Sequence, residues 1–474
     1  MDQVEYDLIV LGAGPVGENV ADRAVQGGLT VALVEHELVG GECSYWACMP
    51  SKALLRSAQA IRAAKQVDGA AQAVTGSLDV AAVLQRRNSF THNWKDDSQA
   101  DWVASAGITL VRGVGRLNGP KRVTVTASDG TETALTAKHA VAVATGTDAF
   151  IPDIEGLRAA QPWTSREATS AQEVPESLAI IGGGVVATEM ATAYAGFGTR
   201  VTLISRGGLL SGMEPFAGEM VTAALREQGA TVLLDTETRK VRRTDTGVEM
   251  ELGDGSVIKA SEVLAATGRA PRTGDIGLDT IGLKPGSWLK TDDTLQVEGH
   301  DWLYAVGDVN HRALLTHQGK YQARMVGDLV AARVSGAPVS TEAWGAHVAT
   351  ADHEAVPQVT FTEPEVASVG LTAEAANKAG YTTSVVDYEL GNVAGASLYA
   401  DGYTGKARMV VDKNRSVVLG VTFVGPDVSD LLHAATVAVA GQVPITRLWH
   451  AVPAYPTVSE IWLRLLETYR DQQS

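Results

Sequence analysis

A strand, a glycine-rich turn, a small-residue helix and a second strand follow one another twice in this chain, at residues 6–35 and 178–206. Two further segments, 117–135 and 248–260, alternate apolar and polar side chains around Asp-Gly turns. These observations predict an α/β fold with two Rossmann-like units accompanied by β-hairpins. The chain has 474 residues, which suits about three domains, and its 45% hydrophobic residues supply ample core.

The first unit, YDLIVLGAGPVGENVADRAVQGGLTVALVE, carries Gly12, Gly14 and Gly17 in the spacing G-x-G-x-x-G. Glycines there let the backbone approach a pyrophosphate at a helix N-terminus, and Glu35, at the end of the second strand, is placed to accept from a ribose hydroxyl. The strand, helix, spacing and acid agree on a dinucleotide site.

Next comes GGECSYWACMPSK, residues 40–52, which holds the only two cysteines, Cys43 and Cys48. Residues five apart in a regular helix are rotated by about 140° and separated by roughly 9 Å, beyond the roughly 7 Å that a disulfide spans. A bridge therefore needs a distorted turn, which Pro50 could supply by removing the N–H that would bond the carbonyl of Trp46. The alternatives are a catalytic or redox pair, a metal site, or two small hydrophobic residues at a helix start. Without nearby histidines the pair cannot complete a structural zinc site. Residues 58–85, rich in alanine and polar residues, fit helices.

The second unit, LAIIGGGVVATEMATAYAGFGTRVTLISR, has Gly182, Gly184 and Ala187 in the variant that tightens helix-on-strand packing. Its second strand ends in Ser205 and Arg206. The carboxylate for a free 2′-hydroxyl is absent and a cation able to pair a 2′-phosphate is present, which favours NADPH over NADH. The alternative reading of Arg206 is a solvated surface charge.

A formal charge of −16 argues against nucleic-acid and anionic-membrane partners, both of which reward a basic face. The opening MDQVEYDLIVLGAGP has no basic n-region, cleavage site or membrane-length apolar run, so the expectation is a cytoplasmic protein in which a close cysteine pair is redox-active, catalytic or metal-binding.

With these motifs in view, the chain resembles the FAD-dependent pyridine nucleotide-disulfide oxidoreductases, the group of glutathione reductase, dihydrolipoamide dehydrogenase and mercuric reductase. The resemblance also rests on VAVATGTD at 141–148, LAATGRAPR at 264–272, LYAVGDV at 303–309 and VTFTEPEVASVGLT at 359–372. It implies an FAD-binding domain at 1–150 and 275–345, an NAD(P)H-binding domain at 151–274, and a C-terminal α+β dimerisation domain at 346–474 that makes a homodimer with its active site across the interface. FAD would lie on the first motif with Glu35, Lys52, Thr145, Gly146 and Asp308. NADPH would lie on the second with Glu189, Ser205, Arg206 and Gly268. Cys48 would be the thiol nearest the flavin and Cys43 the interchange thiol, while Lys52 would pair with Glu189.

Two departures qualify the substrate. Members that reduce disulfides have His-Pro-Thr followed by Glu; here Pro456, Thr457 and Glu460 match, but the histidine position is Tyr455. A tyrosine, with a pKa near 10 against about 6.5 for histidine, is a poor proton reservoir at neutral pH. Mercuric reductases have a tyrosine in this region, yet they also carry a C-terminal vicinal cysteine pair that this chain lacks. The cysteine loop has Tyr45 and Trp46 in place of the pattern Cys-x-Asn-x-Gly-Cys. The leading expectation is thus electron transfer from NADPH through FAD to Cys43/Cys48 and on to a small disulfide or related sulfur-bearing substrate. The alternatives are a quinone, metal-ion or other acceptor served directly by the flavin, and a redox-sensing or partner-docking flavoprotein.

Overall fold

The strand Gln3–Leu11 organises the first of two units. In the computed structural model, which describes residues 3–473, this unit comprises the chain up to Pro50 together with Asn88–Ala149 and Arg269–Asp352. The run Leu8–Leu11 is apolar on both faces because both are covered: Leu8 and Val10 pack with Val20, Ala21 and Ala24 of helix Pro15–Gln26 and with Val326 and Leu329 of helix Thr316–Ser335. Ile9 and Leu11 pack on the opposite face with Leu117, Val123 and Val125. Continuous apolar strands of this kind belong to parallel sheets.

Seven strands form that sheet. Val31–Glu35 and Glu132–Val143 flank Gln3–Leu11 in parallel, Thr109–Arg112 extends one side, and Leu303–Ala305 pairs in parallel with the end of Glu132–Val143. The first hairpin expected from sequence is present: Arg122–Thr126 runs antiparallel to the start of Glu132–Val143, with Gly130 at φ +86° in the turn.

The second unit comprises Ser51–Arg87, Phe150–Gly268 and the chain from His353. Strands Thr231–Leu233, Arg200–Ile204, Ser177–Ile181 and Glu262–Ala265 make a four-stranded parallel sheet in that order. Gly247–Leu252 and Val257–Ala260 form the second expected hairpin, extended by Thr238–Thr244. A five-stranded antiparallel sheet follows, centred on Val417–Gly425, every residue of which is buried. The mixture of parallel and antiparallel layers is the α/β and α+β combination expected.

Two local expectations need correction. The distortion between the cysteines is a complete break rather than a turn opened by Pro50: helix Gly41–Tyr45 ends at Trp46 (φ −137°, ψ 0°) and a new helix, Cys48–Lys65, begins at Cys48. Pro50 lies in the first turn of the new helix, where its missing N–H leaves no helical bond unmade. Residues 58–85 are also not helical throughout. Between Cys48–Lys65 and Val80–Phe90 only the short turn Ala71–Ala73 is helical, in a stretch interrupted by Gly69 and Gly76. Among the described residues no helix is long and apolar enough to cross a membrane.

Candidate active site

In the first unit, the glycine turn follows directly on strand Gln3–Leu11. Gly12 has φ +97°, and a β-carbon there would stand 2.5 Å from the carbonyl oxygen of Ala144; one at Gly17 would overlap the carbonyl oxygen of Gly12. Only glycine fits at these two positions. Gly14 caps helix Pro15–Gln26 without a side chain, leaving the N-terminal N–H groups for an anion. The Glu35 carboxylate accepts from Ala13 N–H at 2.8 Å, from Glu37 N–H at 2.7 Å, and pairs with His36 Nδ1 at 3.3 Å. Burial pushes its pKa up, but the His36 hydrogen bond and the two backbone donors outweigh burial and hold it below the usual carboxylate range. A carboxylate has about four lone-pair positions, so three donors leave room for a ribose hydroxyl. The cradle fits the adenosine half of FAD.

Asp308 sits in the turn Gly307–Asn310 that follows strand Leu303–Ala305. Its Oδ2 accepts from Thr147 Oγ1 at 2.6 Å, and that hydroxyl in turn accepts from Arg269 Nε at 2.6 Å. Burial raises the Asp308 pKa, the Thr147 hydrogen bond and the Arg269 charge oppose the rise, and the Glu42 charge adds to it. Thr145 and Gly146 occupy the link between strands Glu132–Val143 and Thr147–Ala149, where Thr145 Oγ1 donates to the Arg272 carbonyl at 2.8 Å and the Gly146 carbonyl accepts from Arg272 N–H at 3.0 Å.

Both cysteines are partly exposed. Cys48 Sγ lies 3.4 Å from Thr316 Oγ1, at the start of the twenty-residue helix Thr316–Ser335. Thr316 is the first residue of that helix, directly after the cap Leu315. The two aromatics of the cysteine loop divide their roles: Tyr45 is fully buried, with its hydroxyl donating to Gln99 Oε1 at 2.8 Å, whereas Trp46 keeps partial exposure. Tyr45 is a packing residue.

In the second unit, Gly182 has φ +132°, Gly184 caps helix Val185–Gly196 without a side chain, and Ala187 is fully buried against the sheet. Ser205 is buried beneath the glycine turn, and Arg206 is exposed with no ion pair among the described residues. Gly268, at φ +133°, borders open space. Glu189 is 5% exposed at its side chain and uses both oxygens: Oε2 accepts from Lys52 Nζ at 2.7 Å and Oε1 from Phe361 N–H at 2.9 Å. The Lys52 ammonium also stands 4.8 Å from the centre of the Phe361 ring. Tyr455 is 77% exposed, whereas Glu460 is buried and its Oε2 has no hydrogen-bond partner among the described residues.

The structure therefore brings Cys43, Cys48, Gly12, Gly14, Gly17, Glu35, Thr145, Gly146 and Asp308 into one unit. Lys52, Glu189, Gly182, Gly184, Ala187, Ser205, Arg206, Gly268, Tyr455 and Glu460 lie in the other. Sequence reasoning missed Thr316, Arg269 and the ion pair of Glu42 with Arg272, none of which sits at a motif position that reveals its partner. It also missed Glu18, in the first turn of helix Pro15–Gln26, whose Oε1 is buried without a hydrogen-bond partner among the described residues. Burial, reinforced by Glu35 and opposed by Lys320, raises its pKa to about 7.

Residues 6–324 match the family model described as pyridine nucleotide-disulphide oxidoreductase, and residues 356–465 match the dimerisation domain of the same family. A mercuric reductase of Staphylococcus aureus is 31% identical over 470 residues, spanning 96% of this chain and 81% of that protein. A dihydrolipoyl dehydrogenase of Zymomonas mobilis is 29% identical over 465 residues, spanning 96% of this chain and 95% of that protein. Among solved structures, the Cu(II) complex of the HOCl-induced flavoprotein disulfide reductase RclA from Escherichia coli superposes with a TM-score of 0.84 at 21% identity, covering 98% of this chain and 99% of that one. LpdA of Mycobacterium tuberculosis superposes with a TM-score of 0.82 at 22% identity, covering 99% and 100%.

Proposed function

Because the chain belongs to the pyridine nucleotide-disulphide oxidoreductase family, we propose that it uses NADPH to reduce a small disulfide or related sulfur-bearing substrate at Cys43 and Cys48. As a member it is a flavoprotein oxidoreductase that binds FAD and a pyridine nucleotide, and its dimerisation domain supports a homodimer. Bound FAD would supply a two-electron link between the reduced nicotinamide and the disulfide. The observation that carries the reading is Cys48 Sγ at 3.4 Å from Thr316 Oγ1, at the N-terminus of a long helix. A hydroxyl and a helix N-terminus both favour a thiolate over a thiol.

The residues then divide the work. Cys43, as thiolate, attacks one sulfur of the substrate disulfide; the substrate S–S bond breaks, a mixed disulfide with Cys43 forms, and the first substrate thiolate leaves and takes up a proton. Cys48 attacks the Cys43 sulfur, forming the Cys43–Cys48 disulfide and releasing the second thiolate. Tyr455 stands at the position where relatives that reduce disulfides have histidine; a tyrosine can donate a hydrogen bond but is a poor reservoir for the proton of a leaving thiol. Within the second unit, the buried Glu189 carboxylate fixes the Lys52 ammonium in place. Exposed Arg206 and the absence of an acid at Ser205 support NADPH over NADH.

Tyr455 also favours a second reading, in which a metal ion or quinone is reduced without thiol exchange. One experiment separates the two. The purified flavoprotein is titrated anaerobically with NADPH, and turnover with disulfides and quinones is compared with that of a Cys43→Ser, Cys48→Ser variant. Uptake of about four electrons per FAD and loss of disulfide turnover in the variant are the expected results. Uptake of two electrons, with full turnover of any acceptor by the variant, selects the second reading.

A further inference from the structure

Two charged side chains outside the dinucleotide motifs converge on the turn that carries Cys43. Glu42 Oε1 accepts from Arg272 Nη2 at 2.8 Å, and both side chains are less than a quarter exposed. Arg272 is itself fixed from three directions. Its N–H donates to the Gly146 carbonyl at 3.0 Å, its carbonyl accepts from Thr145 Oγ1 at 2.8 Å, and its Nε donates to Asp148 Oδ1 at 2.6 Å.

The turn it holds has little rigidity of its own. Gly41–Tyr45 is five residues long, too short to be stable as an isolated helix. It is preceded by Gly40 at φ +105° and followed by the break at Trp46. Tyr45 pins one flank of Cys43: its hydroxyl donates to Gln99 Oε1 at 2.8 Å and its carbonyl accepts from Trp94 Nε1 at 3.1 Å. Glu42 pins the other, through Arg272.

We propose that Arg272, acting through Glu42, is a positioning residue that holds the Cys43 turn where a Cys43–Cys48 disulfide can close. This rests on reading the two cysteines as a redox couple. Closing the disulfide removes two electrons and two protons from the two thiols, and its equilibrium depends on how often the sulfurs meet in bonding geometry. Releasing the turn lowers their effective concentration, destabilises the disulfide and moves the couple to a more positive potential. A purely electrostatic role predicts something different, because removing the negative charge of Glu42 and removing the positive charge of Arg272 would then act in opposite senses.

The test equilibrates the oxidised holoenzyme with mixtures of reduced and oxidised dithiothreitol. Each protein disulfide opened converts one reduced dithiothreitol to its oxidised ring. Free thiols are trapped by alkylation and counted by mass. Glu42→Gln and Arg272→Gln should each lower the equilibrium constant for disulfide formation about tenfold, a shift of about 30 mV for this two-electron couple. The double variant should shift no further than the larger single, since both remove one pin. Asp148→Asn, at a side chain 58% exposed, should shift the couple in the same sense by less, with no change in thermal midpoint. Shifts of opposite sign for the two singles, an additive double variant, or a potential that stays at the wild-type value in all four would overturn the proposal. A wild-type pair that stays reduced at every ratio would remove the redox-couple reading itself, and the proposal with it.

Discussion

Glu18→Gln tests whether the first dinucleotide motif contains a carboxyl that the fold prefers neutral. The native pKa of about 7 stands above the ordinary 4.5, with burial as the largest cause. The sign follows from linkage: a carboxyl with a raised native pKa leaves stability intact below pH 4.5, where it is protonated in both folded and unfolded chains. Above that, only the unfolded chain ionises freely, and stability falls until the pH passes 7. The rise from 4.5 to about 7 corresponds to about 3 kcal/mol, or about 6–12 °C in thermal midpoint by the scaling for domains of 150–250 residues. Glutamine keeps the shape and never ionises. Differential scanning calorimetry of both proteins, each saturated with FAD, should therefore find nearly equal midpoints at pH 4.5 and the variant higher by that amount at pH 8. A difference between the two proteins that stays constant from pH 4.5 to 8 would refute the reasoning.

Three further outcomes follow from the second unit. Arg206→Ala should raise KM for NADPH about 10–100-fold, the loss of about 1.5–3 kcal/mol from one charged hydrogen bond, and leave KM for NADH unchanged; an equal rise for both nucleotides would remove Arg206 from 2′-phosphate recognition. Glu189→Gln should cost about 1–2 kcal/mol, discounted because Lys52 is 37% exposed. Glu189→Ala should cost more, because the Phe361 N–H also loses its acceptor, and equal thermal midpoints for the two variants would contradict the two-acceptor geometry. Tyr455→His should speed disulfide turnover and bring in a pH dependence centred near 6.5, while Tyr455→Phe should leave thermal stability unchanged, since the side chain is 77% exposed; disulfide rates unaltered in both would show that the position does not serve proton transfer.

The parts of this protein that were legible in its sequence are those whose constraint is local. Gly12 is dictated by its positive φ and Gly17 by its approach to the Gly12 carbonyl, both within a single strand–turn–helix, so spacing alone reveals them. The Asp-Gly hairpins are legible for the same reason. Thr316 is 268 residues from Cys48, and Arg272 is 230 from Glu42; neither has a periodicity or spacing that points to its partner. The break at Trp46 was misread because proline was given the work done by the end of the short helix before it. The Gly69–Gly76 stretch was taken as helical because alanine content outweighed two glycines that interrupt it.

Topology explains how residues so far apart in sequence meet in the first unit. Strands Gln3–Leu11, Val31–Glu35, Glu132–Val143 and Leu303–Ala305 run parallel in one sheet, so all four end at the same edge. Gly12 follows the first, Glu35 ends the second and the cysteine turn begins a few residues beyond it, Thr145 follows the third, and Asp308 follows the fourth. Ligands of open α/β sheets bind at the carboxyl ends of the strands. The same rule places Arg272 within reach of Glu42: the chain returns to this unit at Arg269–Pro271, which pairs antiparallel with Thr147–Ala149 just beyond the end of the third strand. Residues that reach the cysteine turn can therefore be sought among those following parallel strand ends rather than near the cysteines in sequence.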